Sequence, residues 1–197
     1  QAIIINIVNV NEAPSFTSSA TFIVDENETA IGTVSAEDED GDSITYSITG
    51  TQLAITSAGV LTFASAPDYE TKSSYTATVT ATDGALSATQ DITVSVNDIN
   101  EAPTFTSGIS FNADENQTAI GTATASDVDA NSSLSFSISG SELAITADGV
   151  ISFVSAPDYE TKTTYTATVT VSDGALEATQ TIAVNVNNLN DNTPVII

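Results

Sequence analysis

Tyr75, Ala77, Val79 and Ala81 alternate with Thr76, Thr78, Thr80 and Thr82, and Tyr165, Ala167, Val169 and Val171 repeat the alternation. A period of two with β-branched threonine on the polar side predicts a strand that rests one face on a core. Ile92, Val94 and Val96 alternate in the same way, as do Ile3, Ile5 and Ile7 against Ile4 and Asn6. Shorter apolar runs cover Val34 to Ala36, Ile44 to Ile48, Leu53 to Thr56 and Val60 to Phe63. Turn residues separate them: Gly41-Asp42, Gly50, Ala58-Gly59, Pro67-Asp68 and Asp83-Gly84. No segment carries a helical period with caps. About seven short strands in roughly 90 residues predict an all-β Greek-key β-sandwich.

The pattern occurs twice. Asp25-Glu26-Asn27 returns as Asp114-Glu115-Asn116, 89 residues later. Pro67-Asp68-Tyr69-Glu70-Thr71-Lys72 returns as Pro157-Asp158-Tyr159-Glu160-Thr161-Lys162, 90 residues later. The change of offset marks one inserted residue, expected near Gly50/Gly140, where a loop absorbs it at little cost. Two seven-stranded sandwiches in tandem, end to end, are therefore expected over residues 11–99 and 100–190. Residues 1–10 read as the last strand and connector of a preceding repeat, and 191–197 as the start of a following one. The joining words are alike: Val10-Asn11-Glu12-Ala13-Pro14, then Val96-Asn97-Asp98-Ile99-Asn100-Glu101-Ala102-Pro103, then Asn188-Leu189-Asn190-Asp191-Asn192-Thr193-Pro194. None has the Gly/Ser composition of a floppy linker, and all carry oxygen donors.

Charge sharpens this picture. The chain of 197 residues has 26 acidic and two basic residues, Lys72 and Lys162, for a net charge of −24. Nucleic acid and anionic membrane surfaces need a basic face and are poor partners. No stretch approaches the length of a membrane span, so no direct membrane insertion is expected. With no Cys and no His, the chain offers no disulfide, no thiolate or imidazole chemistry and no nitrogen–sulfur zinc site.

The acids lie in turns and connectors, not in the strands. Glu26, Asp38, Asp40, Asp68, Glu70 and Asp83 all recur in the second copy, whereas Glu28 becomes Gln117, Glu37 becomes Ser126 and Asp91 becomes Thr181. Solvated loops explain scattered acids but not this selective recurrence. Several hard oxygens per site, without nitrogen or sulfur, suit Ca²⁺, which takes about 6–8 of them; Mg²⁺ demands a stricter octahedron. Asp38-Glu39-Asp40-Gly41-Asp42 does not make a helix-flanked calcium loop. Ser43 and Thr49 stand where that loop needs its Gly and its bidentate Glu.

Taken in order, Glu26-Asn27, Ala36-Glu37-Asp38-Glu39-Asp40, Tyr46-Ser47-Ile48, Asp68-Tyr69-Glu70, Asp83-Gly84 and the connector from Asp98 resemble the cadherin repeat. The shortened Asn-Glu-Ala-Pro connector is most similar to bacterial cadherin-like domains, and the last connector departs by Asn188 in place of the first Asp. The resemblance covers both copies and implies cadherin/Ig-like sandwiches with two or three Ca²⁺ at the central joint. Carried over, the ligands there are Glu26, Asp68, Glu70, Asp98, the Ile99 carbonyl, Asn100, Glu101, Asp127, Asp129, Asn131 and Asp173. Asn11, Glu12, Asp38, Asp40 and Asp83 form one weaker half-site. Glu115, Asp158, Glu160, Asn188, Asn190 and Asp191 form another.

The function this implies is a calcium-binding structural and adhesion module, stiffening an extended array in a large extracellular or cell-surface protein. Its partners would be neighbouring repeats and another surface protein. A calcium-dependent carbohydrate-binding module is the alternative, with glycans as partner. The twelve aromatics argue for packing instead, since all fall at matched positions, including Phe16/Phe105, Tyr46/Phe136 and Tyr75/Tyr165, and no Trp exists. Tyr69 and Tyr159 are the aromatics with most claim to exposure. No enzymatic activity is expected: a carboxylate pair such as Asp68 and Glu70 cleaves glycosides only across a cleft at a defined separation.

Overall fold

A computed structural model describes residues 3–130 and 132–190. The chain divides into two compact units, Gln1–Ile99 and Asn100–Ile197. Each is a β-sandwich, and among the described residues no helix is long and apolar enough to cross a membrane.

In the first unit the strands are β1 (Ser15–Phe16), β2 (Thr21–Asp25), β3 (Ala30–Thr33), β4 (Ala36–Glu37), β5 (Thr45–Ile48), β6 (Leu53–Ile55), β7 (Val60–Phe63), β8 (Ser74–Thr82) and β9 (Ser87–Asn97). One sheet has the order β2-β9-β8-β5, with β2 parallel to β9 and the other neighbours antiparallel. The other is β3-β7-β6, and β1 pairs with β4. The second unit repeats this with β10 (Thr104–Phe105), β11 (Ser110–Asp114), β12 (Ala119–Thr122), β13 (Ala125–Ser126), β14 (Ser135–Ile138), β15 (Leu143–Ile145), β16 (Val150–Phe153), β17 (Thr164–Ser172) and β18 (Glu177–Asn187). Its sheets are β11-β18-β17-β14 and β12-β16-β15, with β10 on β13.

The alternation in β8 does what its period requires. Val79 and Ala81 are fully buried, and Ile92, Val94 and Val96 of β9 are buried with them. Leu53, Leu61 and Phe63 close the core from the smaller sheet, with Phe16, Phe22, Tyr46, Tyr69 and Tyr75 packed around it. Burying such a set at about 25 cal/mol per Å² of apolar surface is what holds a sandwich of this size together. The second core is built likewise, on Leu143, Ile151, Phe153, Val169, Ile182 and Val184.

Two local expectations are corrected. The run Val34 to Ala36 is not one strand: the chain crosses between layers there. β3 ends at Thr33, the Val34 N–H donates to the Gly59 carbonyl, and Ala36–Glu37 pairs with β1 instead. The inserted residue also does not lie near Gly50/Gly140. β4 and β13 start 89 residues apart, but β5 and β14 already 90 apart, so it falls in the loop between them. Short pairs such as β1–β4 raise the strand count above seven without changing the two-layer plan. The Ile3–Val10 segment forms no strand, and Ile3, Ile5 and Ile7 are more than four-fifths exposed.

Candidate metal centres

Acidic side chains gather at both ends of each sandwich. The entry end, beside the β8–β9 hairpin, receives the preceding connector; the exit end is where β9 leaves.

At the exit end of the first unit, Glu26 follows β2, whose parallel pairing with β9 sets it beside the departing chain. Its backbone N–H donates to the Asn97 carbonyl at 3.1 Å. Asn27 then takes a left-handed conformation (φ 64°), as does Asn116 (φ 63°). Among non-glycine residues Asn reaches that region most readily, so the recurrent Glu-Asn pair is a backbone device as well as a ligand word. The turn sends the Glu26 carboxylate inward, where it is only 3% exposed. It accepts the Tyr69 N–H at 3.0 Å and the Ile99 N–H at 2.9 Å. Oxygens of Glu26, Glu70 and Asp98 come within 4.8 Å of one another. Asp68 lies just outside that trio and holds the Thr71 N–H and hydroxyl, both at 3.0 Å. On Glu70 its own backbone N–H, which lowers the pKa, is outweighed by desolvation and by the charges of Glu26, Asp98 and Asp68, so it sits above the ordinary carboxylate value.

The second exit end is built on Glu115, 1% exposed, which accepts the Tyr159 N–H at 2.9 Å and the Leu189 N–H at 2.6 Å. Here the gathered oxygens belong to Glu115, Asp158 and Glu160. Asn188 donates its amide to Glu160 at 3.0 Å, and Asn190 is exposed. Asp191 lies outside the described residues.

At the entry end of the first unit, Asp38, Asp40 and Asp42 bring carboxylate oxygens within 4.8 Å of one another. Asp40 accepts the Glu12 N–H at 2.9 Å and the Asn9 amide, in that order the main causes of its lowered pKa. The Glu12 carboxyl is pushed up by desolvation and then by Asp40. Asp83 is pulled down by the Asn11 amide, at 2.8 Å, and by the Leu86 and Ala85 N–H groups. The second unit repeats this geometry. Glu101 N–H donates to Asp129 at 2.9 Å, and the Asn100 amide to Asp173 at 2.8 Å. Asp173 is lowered first by the Ala175 N–H and then by Asn100. Asn131 lies outside the described residues.

One feature of these ends is not turn architecture. Asp38 Oδ1 accepts the Asp40 N–H at 2.9 Å and Asp127 Oδ1 the Asp129 N–H at 3.0 Å, but Asp38 Oδ2 and Asp127 Oδ2 are buried with no hydrogen-bond partner. A carboxylate oxygen withdrawn from water and given no donor is costly, and a cation is one partner that would satisfy it. The donor set around it is wholly oxygen, which fits a hard divalent ion. Neither lysine reaches these groups. Lys72 donates to Gln52 at 2.6 Å and lies 4.4 Å over the Tyr75 ring; Lys162 pairs with Glu142 at 2.7 Å and lies 4.3 Å over Tyr165.

Sequence reasoning passed over Asn9 and Asp42. Asn9 occupies the connector position that Asp98 holds in the next copy, which is the signal that marks it. The aromatics expected to pack do so. Tyr69 and Tyr159, given most claim to exposure, are partly buried against the two cores.

The fold is shared with cadherin ectodomains. Human protocadherin-24 EC1-2 is 23% identical, with 91% of this chain and 100% of that one covered and a TM-score of 0.65. Drosophila N-cadherin EC1-4 is 23% identical over 90% of this chain and 50% of its own, with a TM-score of 0.67. Mouse cadherin-23 EC22-24 is 25% identical over 90% and 65%, with a TM-score of 0.60. A search of the curated proteins returned no match. The sequence profile described as "Bacterial Ig domain" matches residues 11–96 and again 100–186. The chain belongs to the bacterial Ig domain family, as two tandem copies with the sandwich fold of cadherin repeats.

Proposed function

We propose that the chain is a pair of calcium-stiffened spacer repeats from an extracellular or cell-surface protein of the adhesion class. The observation that carries this is the buried, partnerless oxygen found at the same place in both units, on Asp38 and on Asp127. In this reading the repeats are residues 11–99 and 100–190. The ligands of the central joint are those the cadherin resemblance implies: Glu26, Asp68, Glu70, Asp98, Ile99, Asn100, Glu101, Asp127, Asp129, Asn131 and Asp173.

Calcium, when bound, would supply positive charge and gather a shell of about 6–8 oxygen ligands. The residues do the rest. Glu26 is held rigid by two backbone N–H groups, so its carboxylate is oriented before metal arrives. Glu70, crowded by the charges of Glu26, Asp98 and Asp68, would be relieved by a cation. Asp83 and Asp173 each lock a turn through Oδ1, which leaves Oδ2 to an asparagine amide or an ion. Without metal, the carboxylates repel one another and the two repeats reorient. With metal, residues of both repeats and of the connector would hold the ions, and rotational freedom would be lost.

Calorimetric titration with Ca²⁺ tests this. Two or three ions should bind in the range of roughly 10⁻⁴–10⁻³ M that extracellular modules use. Asp127→Ala and Asp98→Ala should each weaken binding. Small-angle scattering should show a broader spread of dimensions after chelation, and curves indifferent to chelator would overturn the reading.

A further inference from the structure

The two repeats leave their sandwiches in nearly the same words, with one informative exchange. Where the first has Asp98-Ile99-Asn100, the second has Asn188-Leu189-Asn190. The buried glutamate is held alike at the two ends, since Ile99 N–H and Leu189 N–H make the same bond to Glu26 and Glu115. In the first unit the exchanged residue is a carboxylate whose oxygen lies within 4.8 Å of those of Glu26 and Glu70. In the second it is an amide that donates to Glu160 at 3.0 Å. Substituting amide for carboxylate has two effects on a hard cation at that end. It removes one negative charge from beside the ion, and it occupies Glu160 with an N–H donor that must be released before that oxygen can turn to metal.

We infer that the residue at this first connector position, Asp98 or Asn188, sets the order in which the two exit ends load with divalent cation, the Asp98 end filling at the lower concentration. The inference rests on the calcium reading above and goes beyond it, because that reading assigns ions to the central joint and says nothing of what Asp98 or Asn188 does to the order of loading. Asn9 stands at the same position in the first connector and donates its amide to Asp40, which places that connector in the weaker class.

The backbone amides of Ile99 and Leu189 report on the two ends separately, because each donates to the buried glutamate of its own end. Calcium titrated into the ¹⁵N-labelled chain should shift the Ile99 resonance at a lower concentration than the Leu189 resonance. Removing or adding one unit charge beside a divalent ion should move a midpoint by roughly tenfold. Asn188→Asp should therefore bring the Leu189 midpoint down by about that factor and leave Ile99 where it was, and Asp98→Asn should raise the Ile99 midpoint. Asn188→Asp is a gain of affinity, which misfolding cannot imitate, so it decides the matter even where Asp98→Asn unfolds. If calcium shifts both resonances but neither midpoint follows its substitution, the ordering is wrong and the calcium reading stands. If calcium shifts neither in the parent chain, the calcium reading itself falls.

Discussion

Where the first unit buries Val24, Val34 and Ala81, the second buries Ala113, Ala123 and Val171, and Leu61 is answered by Ile151. At the ends the same chain keeps Glu26, Asp38, Asp40, Asp68, Glu70 and Asp83 unchanged as Glu115, Asp127, Asp129, Asp158, Glu160 and Asp173. The contrast is between two kinds of constraint. A core is satisfied by apolar volume, so methyl groups can be exchanged among its positions at modest cost. An oxygen site needs a given atom in a given place, and a similar residue does not replace it. The twin units thus work as an internal control: a change that affects both alike touches the shared plan, and one that affects them differently touches their few real differences.

The largest shared effect should come from metal. Chelation should lower the melting temperature, since 100-fold saturation of one independent site stabilises a folded state by about 2.7 kcal/mol. Scanning calorimetry with and without chelator measures it. Equal transitions in the two conditions would remove the reason for the acidic ends.

Gly59→Ala and Gly149→Ala should come next. Each glycine has positive φ, 86° and 89°, and a Cβ would lie 2.2 Å from the Val34 carbonyl oxygen or 2.3 Å from that of Ala123. Neither backbone can retreat, because Val34 and Ala123 each donate their N–H to the same glycine's carbonyl. A loss of more than about 2 kcal/mol is expected in each unit, alike in size. Urea denaturation of the two variants checks it, and a mild effect in either would mean that its crossing between layers is softer than it looks.

Much of this fold was legible in advance. The period of two in β8 and β9 named the buried face correctly, and the repeat offsets named the twin units. What the pattern could not reveal was the crossing at Val34. A strand that changes partner there keeps its apolar alternation, and only the hydrogen bond to Gly59 separates one strand from two. The acidic words were equally visible as a set, but their division of labour was not. Asn27 and Asn116 stand in the sequence only as recurrent neighbours of glutamate, and it is their left-handed φ that shows a backbone role. Asp68 reads like Glu26 in sequence, although its oxygens hold Thr71 while Glu26 is buried. Which oxygen of Asp38 faces a donor depends on loop geometry that has no period to betray it.

Glu26→Gln and Glu115→Gln should each cost about 1–3 kcal/mol, because the amide turns an N–H₂ toward one of the two backbone N–H groups the carboxylate satisfied. Thermal melts in chelator measure this apart from metal. A stabilised variant would show that relief of charge outweighs the lost acceptor.

Acid should act in opposite directions on Glu70 and on Asp83 and Asp173 in the metal-free chain. Glu70 has a raised pKa when folded, so its ionisation works against the fold. Stability should be gained as pH falls through that raised value, and the gain is complete below the ordinary glutamate value of about 4.3. Asp83 and Asp173 have lowered values. Their contribution is present above the ordinary aspartate value of about 3.9 and is lost as pH falls below it. The melting temperature in chelator should therefore peak on the acid side of neutrality, and Glu70→Gln should flatten the approach to that peak.

The smallest difference separates the two lysines. Both lie over a tyrosine ring, at 4.4 and 4.3 Å, but Lys72 donates to the neutral Gln52 whereas Lys162 pairs with Glu142. The Lys162–Glu142 pair is 40% and 56% exposed, and such pairs contribute about 0–1 kcal/mol. The stacking contributes about 0.5–1 kcal/mol more at an exposed site, in both units. Lys72→Met and Lys162→Met should accordingly share a small loss, with Lys162→Met losing slightly more at low salt. Because the excess is electrostatic and solvent-exposed, about 1 M salt should remove it while the shared part persists. Equal losses at low salt would assign both to the ring contact and leave Glu142 without a structural role.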